Sequence, residues 1–549
     1  MRRLLVVIVL AWLAAPAASH ALSTGEVERA LADLAGDDAD RREAAVTALG
    51  STRDPKWLAF LGALREGSVY AWKHGGRTDV VVAGPKSTRG DKEVVEVQSG
   101  YERRPLATVP LTDLQEVAAD RRLRIAIKPF LDADETRAQL ASADAAVRRG
   151  AALKLAHQAD AGAIPLVEEA LARERDRWTR HALAEALARI RLAHGDASAR
   201  AAAATALGDL HAFDAVPALQ ALAADAGASA AERAAAGAAV KRIERWSLLT
   251  GAVETAFQGA SLASILLLMA LGLAIVFGLM GVINMAHGEL MALGAYTTFV
   301  VQNWVRASAP AYFEAYFLLA LPLSFLVAAA VGLVLERGVI RRLYGRPLET
   351  LLLTWGASLI IQQALRLWFG AANVDVMAPT WLSGGAPVMV GLALPYNRIF
   401  IIALAAFCLG ATYWLLFRTG AGLRIRAVTQ NRAMSACLGV RAGVVDATTF
   451  ALGAGLAGLA GCALTQIGNV GPSLGQNYIV DSFMVVVTGG VGKLAGTILA
   501  AAGIGGLNKG IEPALGAVFA KVAVLVAVML FLQRRPAGLF ATRGRSVEA

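Results

Sequence analysis

Through the first 245 residues apolar side chains recur every three or four positions among Ala, Arg and Glu, and after Arg245–Trp246 they run together. The first spacing makes amphipathic helices, whereas uninterrupted runs of about 20 apolar residues are long enough to cross a bilayer. Such runs fall near 255–280, 289–305, 316–336, 350–370, 398–417, 443–466 and 514–533. The pattern predicts an all-α chain with a polar helical domain over 22–246 and a polytopic membrane domain over 247–549.

Two stretches of the membrane half interrupt the simple alternation. "GLMGVINMAHGELM" at 278–291 puts Asn284, His287 and Glu289 between two apolar runs with no Lys or Arg to mark a solvated loop. "DSFMVVVTGGVGKLAGTILAAAGIGGLNKG" at 481–510 is broken by Gly489-Gly490-Val491-Gly492, and two half-helices meeting at that turn would satisfy the backbone inside protein. About eight membrane segments are therefore expected, some broken or re-entrant.

In the polar half three segments resemble one another. "REAAVTALGSTRDPKWLAFL" from Arg42, "RGAALKLAHQADAGAIPLV" from Arg149 and "RAAAATALGDLHAFDAVPAL" from Arg200 each pair an Ala/Leu helix with a second apolar helix across a polar turn. Stacked pairs of this sort bury faces that no single pair can bury, which predicts HEAT-like repeats. Between the first two copies, at about 68–127, "TDVVVAG", "EVVEVQS" and "RLRIAI" predict a small β insertion. Met1-Arg-Arg, the apolar run Leu4–Leu13, and Ser19 and Ala21 at the −3 and −1 positions of a cleavage site predict a signal peptide over 1–21, with an uncleaved anchor as the alternative, and either way export of the domain behind it.

Charge supports the division. The chain carries +10, but from Ser247 onward there are 19 Lys+Arg against 10 Asp+Glu, while residues 4–246 hold 32 against 33. The excess lies in loops between apolar runs, which excludes a nucleic-acid-binding face. Arg337, Arg341, Arg342 and Arg346 follow the third run, and Arg418, Arg424, Arg426, Arg432 and Arg441 follow the fifth, whereas the loops 306–315, 371–397 and 467–480 hold only Arg306. By the positive-inside rule the arginine loops are cytosolic, the orientation the signal peptide also requires.

No catalytic or metal-binding constellation is apparent. His74, His157, His181, His194 and His211 are scattered without ligand spacing, and Gly492-Lys493 has Val487 and Leu494 where a phosphate-cradling loop needs Gly and Ser or Thr. Chemistry instead concentrates at two places. Within the membrane half, Asn284, His287, Glu289, Gln362, Gln363 and Thr488 are candidates for a substrate pathway, because polar groups at membrane depth are costly. In the long basic loop, Asn431 is a helix cap and Gly439 a terminator for a short helix whose Met434, Cys437 and Leu438 form an apolar side needing a partner groove. Gly453, Gly455, Gly458 and Gly461 read as a small-residue packing face.

"GLAIVFGLMGVINMAHGELMALGAY", "RRLYGRPLETLLLTWGASLIIQQ", "RTGAGLRIRAVTQNRAMSACLGV", "GGVGKLAGTILAA" and "RRPAGLF" resemble, in that order, the permease subunits of LivH-type branched-chain amino acid ABC importers. The N-terminal extension, including "DRRLRIAIKPFLDADETRAQLASADAAVRRGAALKL", is similar to that of UrtB-type urea permeases, so the resemblance covers nearly the whole chain. It implies an inner-membrane transport subunit without enzymatic activity or cofactor. Its expected partners are cytosolic ABC ATPase subunits, a second permease subunit of the LivM/UrtC kind and a periplasmic substrate-binding protein. It also implies that Arg424, Arg426, Asn431, Arg432, Met434, Cys437 and Leu438 form the ATPase-coupling segment. Transport of branched-chain amino acids and a membrane-tethered periplasmic scaffold are the competing readings.

Overall fold

The computed structural model describes residues 23–540 apart from Arg53, Gly75, Gly76, Gly90 and Asp91, and divides into two compact units at Arg242. The predicted signal peptide lies outside the described residues.

The N-terminal unit begins with α1 (Thr24–Ala35), α2 (Ala39–Ser51) and α3 (Pro55–Arg65). A five-stranded antiparallel sheet follows, built from β1 (Val69–His74), β2 (Arg77–Arg89), β3 (Lys92–Ser99), β4 (Pro105–Pro110) and β5 (Leu114–Glu116) in the order β4-β3-β2-β1-β5. The chain returns to helix in α4 (Arg121–Leu140), α5 (Ala145–Gln158), α6 (Ile164–Arg173), α7 (Arg177–His194), α8 (Ala197–Asp209) and α9 (Val216–Ala224). The three similar segments form the helix pairs α2/α3, α5/α6 and α8/α9. Aspartates start these helices: Asp54, Asp120, Asp144, Asp176 and Asp196 each accept a first-turn backbone N–H. Phe60, Leu61 and Leu64 of α3 share a core with Val69 and Val82 of the sheet and Leu123 and Ile127 of α4.

One expectation is corrected here. "RLRIAI" is not a strand but the first two turns of α4, because Asp120 caps Leu123 at 2.8 Å and Leu123 and Ile127, four residues apart, turn into the core together. The β insertion thus ends at Glu116, and its fourth strand, "PLATVP", had no alternating signal strong enough to be read.

The second unit takes in most of α10 (Ala230–Met280) and then, after a non-helical stretch at 281–286, α11 (His287–Ser308), α12 (Tyr316–Gly338) and α13 (Pro347–Phe369). A hairpin of β6 (Gly385–Met389) and β7 (Leu392–Pro395) leads into α14 (Tyr396–Arg418), α15 (Gly420–Gln430), α16 (Arg432–Cys437), α17 (Ala442–Leu464), α18 (Leu474–Gly489), α19 (Leu494–Leu515) and α20 (Ala517–Arg534). Among the described residues six helices are long and apolar enough to cross a membrane, those at Ala230–Met280, Pro310–Gly338, Tyr396–Arg418, Ala442–Leu464, Leu494–Leu515 and Ala517–Arg534. The centre of the unit is α11, α12 and α17 in close contact. Gly458 lies against Ser324 and Ala328 of α12, and Gly461 against the backbone of Met291 and Ala295 on α11, so any side chain at either position would overlap its neighbour.

Both anticipated interruptions exist. The first is 281–286, and the second is the turn between α18 and α19, where Gly490 and Gly492 take φ of +94° and +79°, backbone that favours glycine. The expectation of two half-helices holds for only one partner. The 16 residues of α18 span about 24 Å, short of the hydrocarbon core, while the 22 residues of α19 suffice to cross. The two interruptions meet: Gly278, in the last turn of α10, lies directly against the backbone of Gly492.

Candidate functional site

The 281–286 break is held by both neighbours. The hydroxyl of Thr354 on α13 accepts a hydrogen bond from the Met285 amide at 3.1 Å and lies 3.2 Å from the Ile283 carbonyl. The Asn284 side-chain carbonyl accepts from the Ala286 amide at 3.1 Å, a local turn that delivers the chain into α11. His287 sits at the start of that helix with its Nε2 3.0 Å from the Met269 carbonyl of α10, so it staples α11 to α10 across the break.

Around this junction polar side chains collect from four elements. Thr350, Thr354, Ser358 and Gln362 recur every four residues and make one buried stripe on α13. Ser358 donates to Glu289 Oε1 at 3.2 Å, and Gln362 Oε1 accepts from Gln476 Nε2 at 3.4 Å. The first turn of α18 reaches this point because Gly475 abuts Gly288, whose missing side chains let the two backbones touch. The cluster is incompletely satisfied by protein: Asn284 Nδ2, His287 Nδ1, Glu289 Oε2 and Gln362 Nε2 are buried and have no hydrogen-bond partner among the described residues. Glu289 forms no ion pair there either. A buried unpaired polar atom costs about 1–3 kcal/mol, so four at one junction are a considerable expense unless something binds them.

Glu289 and Gln362 are therefore brought together along the α13 stripe, with Asn284 in the adjoining break, while His287 turns towards α10 and Gln363 and Thr488 lie elsewhere. Gln363 is one residue, about 100°, further round α13 and is exposed. Thr488 is near the far end of α18, about 18 Å along the helix from Gln476, beside the 538–539 segment that donates to its carbonyl. Ser358, Thr354 and Gln476 belong to the cluster without having been singled out. The four-residue period of Thr350, Thr354, Ser358 and Gln362 was the available signal.

The second site is α16. Asn431 caps it by accepting from the Met434 amide at 2.9 Å, and Gly439 ends it with φ of +81°. Met434 and Leu438 are 59% and 78% exposed and Cys437 is exposed, so the apolar side anticipated for this helix has no cover among the described residues. Arg424 and Arg426 are also exposed, the latter over the Phe417 ring. Arg432 instead turns back onto the body, pairing with buried Asp446 of α17 at 2.5 Å and lying over the Tyr344 ring.

Residues 255–533 match the family described as the permease component of branched-chain amino acid transport systems. The chain belongs to this family. It is 30% identical over 296 residues to the high-affinity branched-chain amino acid transport system permease protein BraD of Pseudomonas aeruginosa, covering 51% of this chain and 93% of that one. The corresponding LivH of Escherichia coli K12 is 27% identical over 303 residues, 51% of this chain and 93% of LivH. The ribose import permease protein RbsC of the same organism is 26% identical over 269 residues, 47% and 78% of the respective chains. This permease is thus a multi-pass subunit of an ABC importer in the bacterial inner membrane, and it contributes transport rather than catalysis.

Proposed function

We propose that this permease translocates urea or short neutral amides, taking them across the membrane past the junction of the 281–286 break with α11, α13 and α18. The observation that carries the reading is the composition of the junction: amide and hydroxyl groups and a single carboxylate, with unpartnered polar atoms on Asn284, Glu289 and Gln362 and no ion pair to Glu289 among the described residues. A neutral solute rich in N–H donors and bearing one carbonyl is matched by such a set. Binding it would give the orphaned groups the partners they lack.

In this reading the permease works with cytosolic ATPases docked on α16, a second permease subunit and a periplasmic binding protein that delivers substrate. The orientation follows the arginine loops, with α16 in the cytosol and the N-terminal unit, a HEAT-like stack of helix pairs with its inserted sheet, in the periplasm. The stack is a protein-binding surface on architectural grounds. A second reading, transport of branched-chain amino acids, is favoured by the names of the relatives and by the first turn of α11, whose N-terminal end suits a substrate carboxylate.

Uptake by a strain lacking the gene separates the two. Loss of growth on micromolar urea with unchanged leucine uptake supports the first reading, and loss of leucine uptake with unchanged urea growth replaces it by the second.

A further inference from the structure

The loop between α12 and α13 is tied to both the α16 region and the break. Tyr344 donates its hydroxyl to Glu336 Oε1 at 2.9 Å, and Glu336 is fully buried in the last turn of α12. On its outer side the Tyr344 ring carries the Arg432 guanidinium at 5.0 Å, and Arg432, the first residue of α16, is fixed in turn by Asp446. Its remaining packing is against a small apolar cluster of Val276, Val282, Ile340 and Phe450, with Met280 and Leu353 at its edge. Met280 and Val282 flank the start of the break, two residues from Asn284, and Leu353 is next to Thr354, whose hydroxyl contacts the break's backbone.

These contacts form one continuous path. A displacement of α16 moves Arg432, Arg432 bears on Tyr344, and Tyr344 is packed on the residues that lead into 281–286. The path contains none of the side chains with unpartnered atoms at the 281–286 junction, and its one such neighbour is Glu336, whose Oε2 is buried without a partner among the described residues. We propose that Tyr344 is a positioning residue that transmits the position of α16 to the 281–286 break, so that docking and ATP binding outside the membrane change the geometry at Asn284 and His287. The proposal rests on the reading of α16 as the docking helix. Close packing makes the transmission physically reasonable, because packed side chains shift as groups.

The test uses the whole importer, reconstituted with its ATPase and binding protein, and a cysteine placed at Ile283. Its alkylation by a maleimide is followed by peptide mass spectrometry, which separates it from Cys437, with and without ATP and vanadate. With Tyr344 present, nucleotide should change the alkylation rate by about fivefold, within the usual range of coupling between sites. Tyr344→Ala should leave the ATPase bound and remove that change, whereas Tyr344→Phe, which keeps the ring, should retain at least half of it. An unaltered nucleotide response in Tyr344→Ala overturns the proposal, as does the absence of any response when Tyr344 is intact. Loss of the ATPase from Tyr344→Ala also overturns it, since the residue would then belong to the docking surface. The docking reading has its own control. If Met434→Asp with Leu438→Asp keeps the ATPase bound, that reading fails, while the Tyr344 measurement is still interpretable.

Discussion

Glu232 in the N-terminal unit and Glu289 in the membrane unit are equally buried, each 1% exposed, and the protein treats them differently. Glu232 receives the Ser229 amide at 2.7 Å on one oxygen and Arg200 Nε at 2.7 Å on the other, and hydrogen bonding from the Ser229 side chain and amide, with a lesser part from Arg200, holds its carboxyl below its ordinary pKa. Glu289 receives a single hydroxyl on one oxygen and nothing on the other. A second pairing shows the same contrast: Glu174 accepts from both Nε and Nη2 of Arg148, at 2.8 and 2.9 Å, while Asn284, His287 and Gln362 each keep a polar atom without a partner among the described residues. Burial alone therefore does not mark a functional residue. Glu232 and Glu174 are held by an arginine and backbone amides, whereas at the 281–286 junction Glu289 keeps an oxygen with no partner among the described residues.

The largest expected effect breaks this comparison if it fails. Glu289→Gln preserves shape but replaces an acceptor oxygen with a donor, and should lower initial uptake in proteoliposomes about 100-fold. That corresponds to about 2.7 kcal/mol, within the range for one hydrogen bond to a charged group. Its melting temperature in detergent should hold or rise, because a carboxyl whose charged form is penalised by burial gives way to a neutral amide of the same shape. Glu232→Gln should do the reverse, lowering the thermal stability of the N-terminal unit by leaving Arg200 half-satisfied, with the uptake rate per folded molecule unchanged. Wild-type uptake by Glu289→Gln would make Glu289 a structural residue like Glu232.

A smaller effect sharpens the comparison within one helix. Gln362 and Gln363 are neighbours, but only Gln362 faces the cluster. Gln362→Leu should reduce uptake about tenfold through the loss of one hydrogen-bonding group at the site. Gln363→Leu, on the exposed side, should leave both uptake and stability within the small range typical of surface changes, about 0.5 kcal/mol. Equal losses from the two variants would show that α13 responds to any change along its length.

How far the sequence revealed these distinctions depended on the reach of each signal. Span length, the Asn431 cap, the Gly439 terminator and the glycine face of α17 are local patterns, and they were readable because a single helix encodes them. Gln362 and Gln363 could not be told apart by residue type, since the difference is helical phase against neighbours far away in sequence. Arg432 looked like its fellow loop arginines, and its turn towards Asp446 and Tyr344 depends on contacts 14 residues ahead and a whole helical hairpin behind. "RLRIAI" was misread because two isoleucines and a short length suit a strand, while the Asp120 cap and the four-residue spacing of Leu123 and Ile127 decide for helix.

The smallest effect concerns pH and the partnered side of the comparison. The hydrogen bonds from Arg148, opposed by burial and aided by the amides of Asp176 and Arg175, hold the Glu174 carboxyl at about 2, against an ordinary value of 4.5. A carboxyl lowered in the folded state adds stability that is fully present above the unfolded value and is lost as pH falls towards the folded one. For Glu174 the loss should fall between about pH 4.5 and pH 2. Glu174→Gln cannot titrate, so its melting temperature should fall less steeply across that window than that of the unmodified chain, and the two should run parallel between pH 6 and 8. Subtracting one curve from the other cancels the other carboxylates of the unit. Parallel curves through the acid window would mean that Arg148 holds Glu174 no more strongly than water does. The partnered half of the comparison would then rest on Glu232 alone.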